Sequence, residues 1–264
     1  MRRDVTVRLD LESDGPAELV LAVAVAEPQP TSERFDATQG GDPLPVTALE
    51  DIHGGRLHVV DVRPGRVRIE YAATVEDVGM PADLDPLQEI RYRRPSRYCE
   101  SDILRPIAVA EFSGLHGAEL LAAVASWVGV RIAYVPGSSL PTDGAVRTLL
   151  SRRGVCRDFA HLVVAFLRAL DVPARVVAVY APGLSPMDFH AVAEAAIDGT
   201  WYVVDATTLA PRQSLVRIAT GRDAADTAFL TARGDLPVRI ADLEVMAIAD
   251  ELPRDDTLLP VVLR

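Results

Sequence analysis

Between Val5 and Ala73 apolar residues recur at every second position in short runs, and no window carries a helical period. Val5-Thr-Val-Arg-Leu-Asp-Leu11, Glu18 to Ala26, Arg56 to Asp61 and Arg66 to Ala72 each read as a strand, since successive side chains of a strand point to opposite faces. Gly15-Pro16, Gly40-Gly41 and Pro64-Gly65 fall between these runs and are turn formers. Strand following strand through short turns predicts a small β-sandwich over residues 1–75. After Ala73 the pattern changes. A polar stretch rich in Pro, Asp and Arg, residues 76–105, is expected to be a linker. Residues 106–264 then mix helical and strand periods. Helices are predicted at Ala118 to Val130, Ala145 to Arg152 and Cys156 to Leu170, and strands at Ala174 to Tyr180, Phe189 to Ile197, Trp201 to Ala206 and Val238 to Ile248. The expected class is α+β, with a helix that begins at Cys156 packed on an antiparallel sheet.

Composition removes several functions. At 49% apolar and 25% charged over 264 residues, the chain is neither fibrous nor mostly disordered. Its longest apolar stretches, Ala17 to Ala26 and Ala118 to Val130, each contain a Glu and fall short of the roughly 18 residues a membrane helix needs. Met1-Arg2-Arg3 is followed by Asp4, Asp10, Glu12 and Asp14 where a signal peptide would turn apolar, so a cytoplasmic protein with no membrane partner is expected. A net charge of −11 repels a phosphate backbone, and the densest basic run is only Arg91, Arg93, Arg94 and Arg97; nucleic acid is not an expected partner. Five histidines and two cysteines show no ligand spacing, so neither a metal nor a cofactor is expected. Every basic side chain is Arg and none is Lys.

Two segments carry chemistry. On a helix over 155–170, Val155, Phe159, Leu162, Val163, Phe166, Leu167 and Leu170 form one stripe, with Arg157, His161 and Arg168 opposite. Cys156 lies at the edge of that stripe in the first turn, where free N–H groups and the macrodipole favour a thiolate. Its own N–H is a natural first donor to an oxyanion. Downstream, Asp198-Gly199 predicts a two-residue type I′ hairpin. Ile197 then faces Thr200, and Asp205 stands opposite Val192. His190 shares a face with Asp205, diagonal to it at about 7 to 8 Å along the backbone, within reach of a carboxylate-to-imidazole hydrogen bond. Nucleophile, base and orienting acid are all supplied. Other candidates have structural explanations. His161 points about 140° away from Cys156 and is expected at the surface or in a structural role. Cys99 gains no helix terminus and is expected to be a packed, unreactive thiol. Asp158 is expected to cap the helix, and Trp127 to belong to the core.

Gly154-Val-Cys-Arg-Asp-Phe-Ala-His-Leu162, Val172-Pro-Ala-Arg-Val176, Asp188-Phe-His-Ala191, Gly199-Thr-Trp201 and Asp205-Ala-Thr207, in that order, resemble bacterial transglutaminase-like proteins. The resemblance extends to Arg94-Pro-Ser-Arg-Tyr-Cys99, Ile132 to Ser139 and Gly221-Arg-Asp-Ala-Ala-Asp226, and the sandwich resembles the amino-terminal region that accompanies this domain. It implies a papain-like triad of Cys156, His190 and Asp205, and an upstream aromatic oxyanion donor that the sequence leaves unplaced. Val192 departs from the aromatic residue many relatives carry after His-Ala. The expected function is thiol acyl transfer on peptide or side-chain amides through a thioester, as a cysteine peptidase or amidase rather than a cross-linking enzyme. The alternative is a non-catalytic peptide-binding or scaffold module using the same groove, and a sandwich that recruits another protein is compatible with either.

Overall fold

The computed structural model describes residues 1–26, 28–76 and 84–263. The first unit contains β1 (Arg3–Ser13), β2 (Ala17–Leu21), β3 (Ser32–Gln39), β4 (Asp42–Pro43), β5 (Thr47–Glu50), β6 (Arg56–Val62) and β7 (Gly65–Val75). Alternation does what the sequence requires: Val5, Val7, Leu9 and Leu11 of β1 are buried with Val67, Ile69 and Tyr71 of β7, and the intervening charged residues face outward. β1 and β7 pair antiparallel without a slip from Arg3↔Val75 to Ser13↔Gly65.

The stretch expected to be a linker at 76–105 instead holds two helical segments and several buried side chains; residues 77–83 lie outside the described residues. It holds α1 (Pro86–Arg91), with Asp85 capping Leu87 N at 2.9 Å, and the first turns of α2 (Ser101–Phe112), which runs through Pro106. Tyr92 and Cys99 from this stretch are buried. Its polar composition hides a one-turn helix and a proline-bearing helix, both too irregular to give a periodic signal.

The second unit follows with α3 (Gly117–Arg131), β8 (Ala133–Tyr134), α4 (Ala145–Ser151), β9 (Arg153–Gly154), α5 (Cys156–Ala169), β10 (Ala174–Tyr180), β11 (His190–Ile197), β12 (Thr200–Val204), β13 (Val216–Gly221) and α6 (Ala224–Thr227). The sheet order is β12-β11-β10-β13, all antiparallel. α5 packs on one face of it with α2, α3 and α4 around the helix, burying Leu162, Val163, Phe166 and Leu167 against Val176, Ala193 and Val204. At the Tyr180 end of β10, Tyr180, Val216 and Ile218 join the sandwich core, and the face opposite α5 buries Val177, Val179, Val192 and Val203.

The last strands do not stay with this unit. β14 (Leu230–Arg233) pairs with β2 and β15 (Val238–Ala249) pairs with β1, completing sandwich sheets of order β14-β2-β6-β5 and β15-β1-β7-β3-β4. A single span of 106–264 therefore does not describe the layout, because residues 230–233 and 238–249 belong to the sheets begun by residues 1–75. Periodicity identifies a strand but not its partner.

α5 also differs from the expected two-faced helix. His161 and Arg168 are buried, because elements cover the helix on the side assigned to solvent. Each is satisfied: His161 Nε2 accepts from Ala224 N at 3.0 Å, and Arg168 donates to the carbonyls of Ala174, Arg94 and Arg222.

Candidate active site

The start of α5 is built by its own preceding turn. Arg152 closes α4 in the left-handed region (φ 56°), and β9 then pairs in parallel with β8, with Val135 N donating to Gly154 O at 2.9 Å. Val155 N donates to Asp158 Oδ2 at 2.8 Å, the capping contact expected of Asp158. Gly154 is fixed by this cap, since a Cβ there would lie 2.6 Å from Asp158 Cβ. Asp158 Oδ1 accepts from Ser139 Oγ (2.9 Å) and Arg157 Nη2 (3.1 Å), and Arg157 also donates to Leu140 O, so loop 136–140 is tied to the helix start. Cys156 is the first residue of α5 and is only partly buried.

The β8–β9 bridge brings Tyr134 to the same point. Its hydroxyl lies against both the backbone N–H and the thiol of Cys156; burial, then the Cys156 charge, push the phenol up to about 12. Tyr134 thus stands where a second oxyanion donor would, and Trp127 does not. The Trp127 ring packs edge-on against Phe112 and Phe166, and its Nε1 donates to Glu111 at 2.7 Å. Sequence reasoning missed Tyr134 because a two-residue strand leaves no periodic trace.

The hairpin places the other two groups. Asp198 (φ 50°) and Gly199 (φ 82°) form the turn, and pairing runs from Ile197↔Thr200 to Ala193↔Val204, so Asp205 follows directly after the last rung. Past that rung the chain turns back, and Asp205 Oδ1 is occupied by Thr207 N (2.8 Å) and Thr207 Oγ1 (2.7 Å). Oδ2 is left for His190, whose Nε2 lies 3.8 Å away. Both side chains are buried, and neither Asp205 Oδ2 nor His190 Nδ1 has a hydrogen-bond partner among the described residues. Burial opposes charge on His190, but the negative charges of Asp205 and Cys156 beside it outweigh burial and raise the imidazole to about 10. The structure therefore brings Cys156, His190 and Asp205 together, adds Thr207 as the group that aims Asp205, and favours the imidazolium form.

It leaves the other candidates apart. Cys99 is enclosed in the core between α2 and α5, and burial pushes its thiol up to about 12. His161 stacks on Tyr98 at 5.6 Å, and burial drives its pKa down to about 3, which keeps it a neutral acceptor for Ala224.

Residues 110–206, which contain all three grouped side chains, match the family model of the transglutaminase-like superfamily. A solved structure from Cytophaga hutchinsonii, provisionally named a cysteine protease, superposes with a TM-score of 0.87 at 31% identity, over 96% of this chain and 92% of that one. An uncharacterised Mycobacterium leprae protein, ML0607, is 29% identical over 119 residues, 41% of this chain, and the match spans 42% of that protein's length. With a near full-length relative at this identity and the family's core domain around the site, the chain belongs to the transglutaminase-like superfamily.

Proposed function

We propose that the protein is a thiol acyl-transfer enzyme whose ordinary acceptor is water, a cysteine peptidase or amidase. The observation that carries this reading is the buried imidazole of His190, set between Asp205 and the helix-start thiol of Cys156 and raised to about 10. Cys156 as thiolate attacks an amide carbonyl, and the tetrahedral oxyanion forms between the Cys156 N–H and the Tyr134 hydroxyl. His190 as imidazolium gives its proton to the leaving amine, the C–N bond breaks and a thioester remains. Neutral His190 then takes a proton from water as the hydroxide oxygen adds to the thioester. Collapse of that second intermediate releases the carboxylic acid and returns the thiolate–imidazolium pair. Asp205, fixed by Thr207, holds the ring in one tautomer throughout.

Hydrolysis is favoured over cross-linking on two grounds. The Cytophaga relative is provisionally named a protease, and a chain without Lys offers no lysine amine through which its own copies could be joined. The test is activity profiling of wild type and Cys156→Ala against a peptide-amide library, with and without an added primary amine. Free acid that appears with wild type alone, whether or not amine is present, supports the reading. Amide product in preference to acid at millimolar amine makes the enzyme a transglutaminase.

A further inference from the structure

We propose that the groove between the two halves of the molecule, where Arg91 and Arg94 meet an aliphatic wall, is a docking site for a protein partner that presents an acidic segment with aliphatic side chains between its carboxylates. The inference is independent of the acyl-transfer reading, because the groove lies away from Cys156.

The run Arg91, Arg93, Arg94 and Arg97 is the densest basic stretch of the sequence and has no part in the triad site. The fold divides it. Arg93 pairs with Glu89 at 2.8 Å, and the Arg97 guanidinium lies 5.4 Å over the Tyr98 ring. Arg91 and Arg94 are joined by a turn in which Arg94 N donates to Arg91 O at 3.3 Å. Their side chains make no hydrogen bond or ion pair among the described residues, and both line a groove of about 840 Å³.

Both halves build this groove. Val20 of β2, Leu57 of β6 and Ile52 and His53 of the β5–β6 turn form one side, and Leu87 and Ile90 of α1 face them. The buried His53 side chain ties the halves together, with Nδ1 2.8 Å from the Tyr92 hydroxyl and Nε2 3.5 Å from Asp226. Tyr92 packs edge-on against Trp201, which pairs with Ala196 at the end of β11 remote from His190. The groove therefore sits about 20 Å of strand away from the imidazole.

Ile52, Leu87 and Ile90 are each more than half exposed. Three aliphatic side chains around one groove differ from the scattered single residues of an ordinary surface. Charge selects what covers them. The chain as a whole carries −11, yet four Arg and two Asp line this groove. Arg222 is held by Asp226 and Arg233 by Glu18, both at 2.9 Å, which leaves Arg91 and Arg94 over. A segment whose carboxylates meet these two guanidiniums while its aliphatic side chains cover Ile52, Leu87 and Ile90 satisfies both features, since Arg forms strong charge-assisted hydrogen bonds with carboxylates. A nucleic acid does not: Asp51 and Asp226 repel its phosphates, and its backbone has nothing to lay on the aliphatic wall.

The test is fluorescence anisotropy of dye-labelled short peptides in which Leu alternates with Glu, Gln or Arg, titrated with the full chain carrying Cys156→Ala so that no peptide is turned over. The Glu peptide is expected to bind at least about tenfold more tightly than the Gln peptide, with the Arg peptide weakest. Arg91→Glu/Arg94→Glu should abolish that preference, and Leu87→Ser/Ile90→Ser should weaken the Glu and Gln peptides alike. None of these four side chains is buried, so the circular dichroism spectrum should stay the same. Arg91→Gln/Arg94→Gln makes the same comparison by a milder change if charge reversal disturbs the fold. Labelled oligouridylate is the competing ligand: tighter binding than the Glu peptide, lost in the Arg variants, makes the groove a nucleic-acid surface and overturns the proposal. Equal affinity for the Glu and Gln peptides, a Glu preference that survives both Arg variants, or binding indifferent to Leu87→Ser/Ile90→Ser overturns it as well.

Discussion

The sandwich and the catalytic half handle charge in opposite ways. In the sandwich most ionic contacts ride on the outer surface, as in Arg68–Asp10 at 2.7 Å and Arg66–Glu12 at 3.3 Å, with the buried Arg3 and the half-buried Arg56–Glu33 pair as exceptions, and the interior is mostly Val, Leu, Ile and Ala. In the catalytic half charge lies inside. Glu194 is buried between Arg175 and Arg217, with contacts of 2.7 and 2.8 Å, and Arg175 lies 3.9 Å over the Trp201 ring. Arg168, Asp158, His190 and Asp205 are buried as well. Burial raises the Glu194 carboxyl, but the two guanidiniums outweigh it and hold the group at about 2. An apolar interior tolerates a lost surface charge, whereas a buried ionic network leaves an uncompensated charge when one member goes. The exposed pairs of the scaffold half are accordingly insensitive to single-charge changes, and the buried network of the half that holds the site is not.

The largest effect is expected at the triad. Asp205→Asn should lower turnover by about 10⁴-fold while leaving the circular dichroism spectrum intact, because an amide holds the wrong imidazole tautomer. A fall of less than tenfold would remove Asp205 from the catalytic machinery and make the two halves alike.

Next comes Glu194. Its truncation, Glu194→Ala, should cost about 3–5 kcal/mol in denaturant unfolding, because two guanidiniums stay buried without their partner. Glu12→Ala, at the exposed Arg66 pair, should barely move the transition. The same contrast has a pH signature. A carboxyl held at about 2 stabilises the fold above its unfolded value of about 4.3 and loses that contribution as pH falls toward about 2. His190, raised to about 10, stabilises below about 6.5 and loses its contribution as pH rises toward about 10. Melting temperature against pH should therefore fall at both ends, with the acid limb flattened in Glu194→Ala and the alkaline limb flattened in His190→Ala. Equal losses for Glu194→Ala and Glu12→Ala would dissolve the distinction.

A smaller effect is expected at Tyr134. Removing its hydroxyl in Tyr134→Phe should reduce kcat by about 10²–10³-fold, as for a lost oxyanion donor, with stability nearly unchanged. An unaltered kcat would return the second donor to another group.

The same contrast explains what the sequence discloses. The Asp198-Gly199 turn sets the register of β11 and β12 through two residues, so the His190–Asp205 face is legible from local chemistry alone. β1 and β7 are equally legible, because one face of each is buried and the alternation is clean. What is hidden depends on distant partners. Val238 to Ile248 reads as a strand, but its pairing with β1 rests on an edge left open more than 200 residues earlier. His161 and Arg168 sit on the polar side of a helical wheel, and only the packing around α5 shows that side to be enclosed. Tyr134 reaches the site through a two-residue bridge to β9, which carries no pattern of its own.

Differential alkylation reports whether His190 holds Cys156 as a reactive thiolate, as proposed. With iodoacetamide at about pH 6, well below the ordinary thiol value of ~8.5, Cys156 should label much faster than Cys99, whose thiol is enclosed and pushed up to about 12. His190→Ala should slow the labelling of Cys156, and denaturant should erase the difference between the two cysteines. A Cys156 rate unchanged by His190→Ala, or equal labelling of the two thiols in the folded protein, would contradict the account and leave a peptide-binding module without catalysis as the better description of this groove.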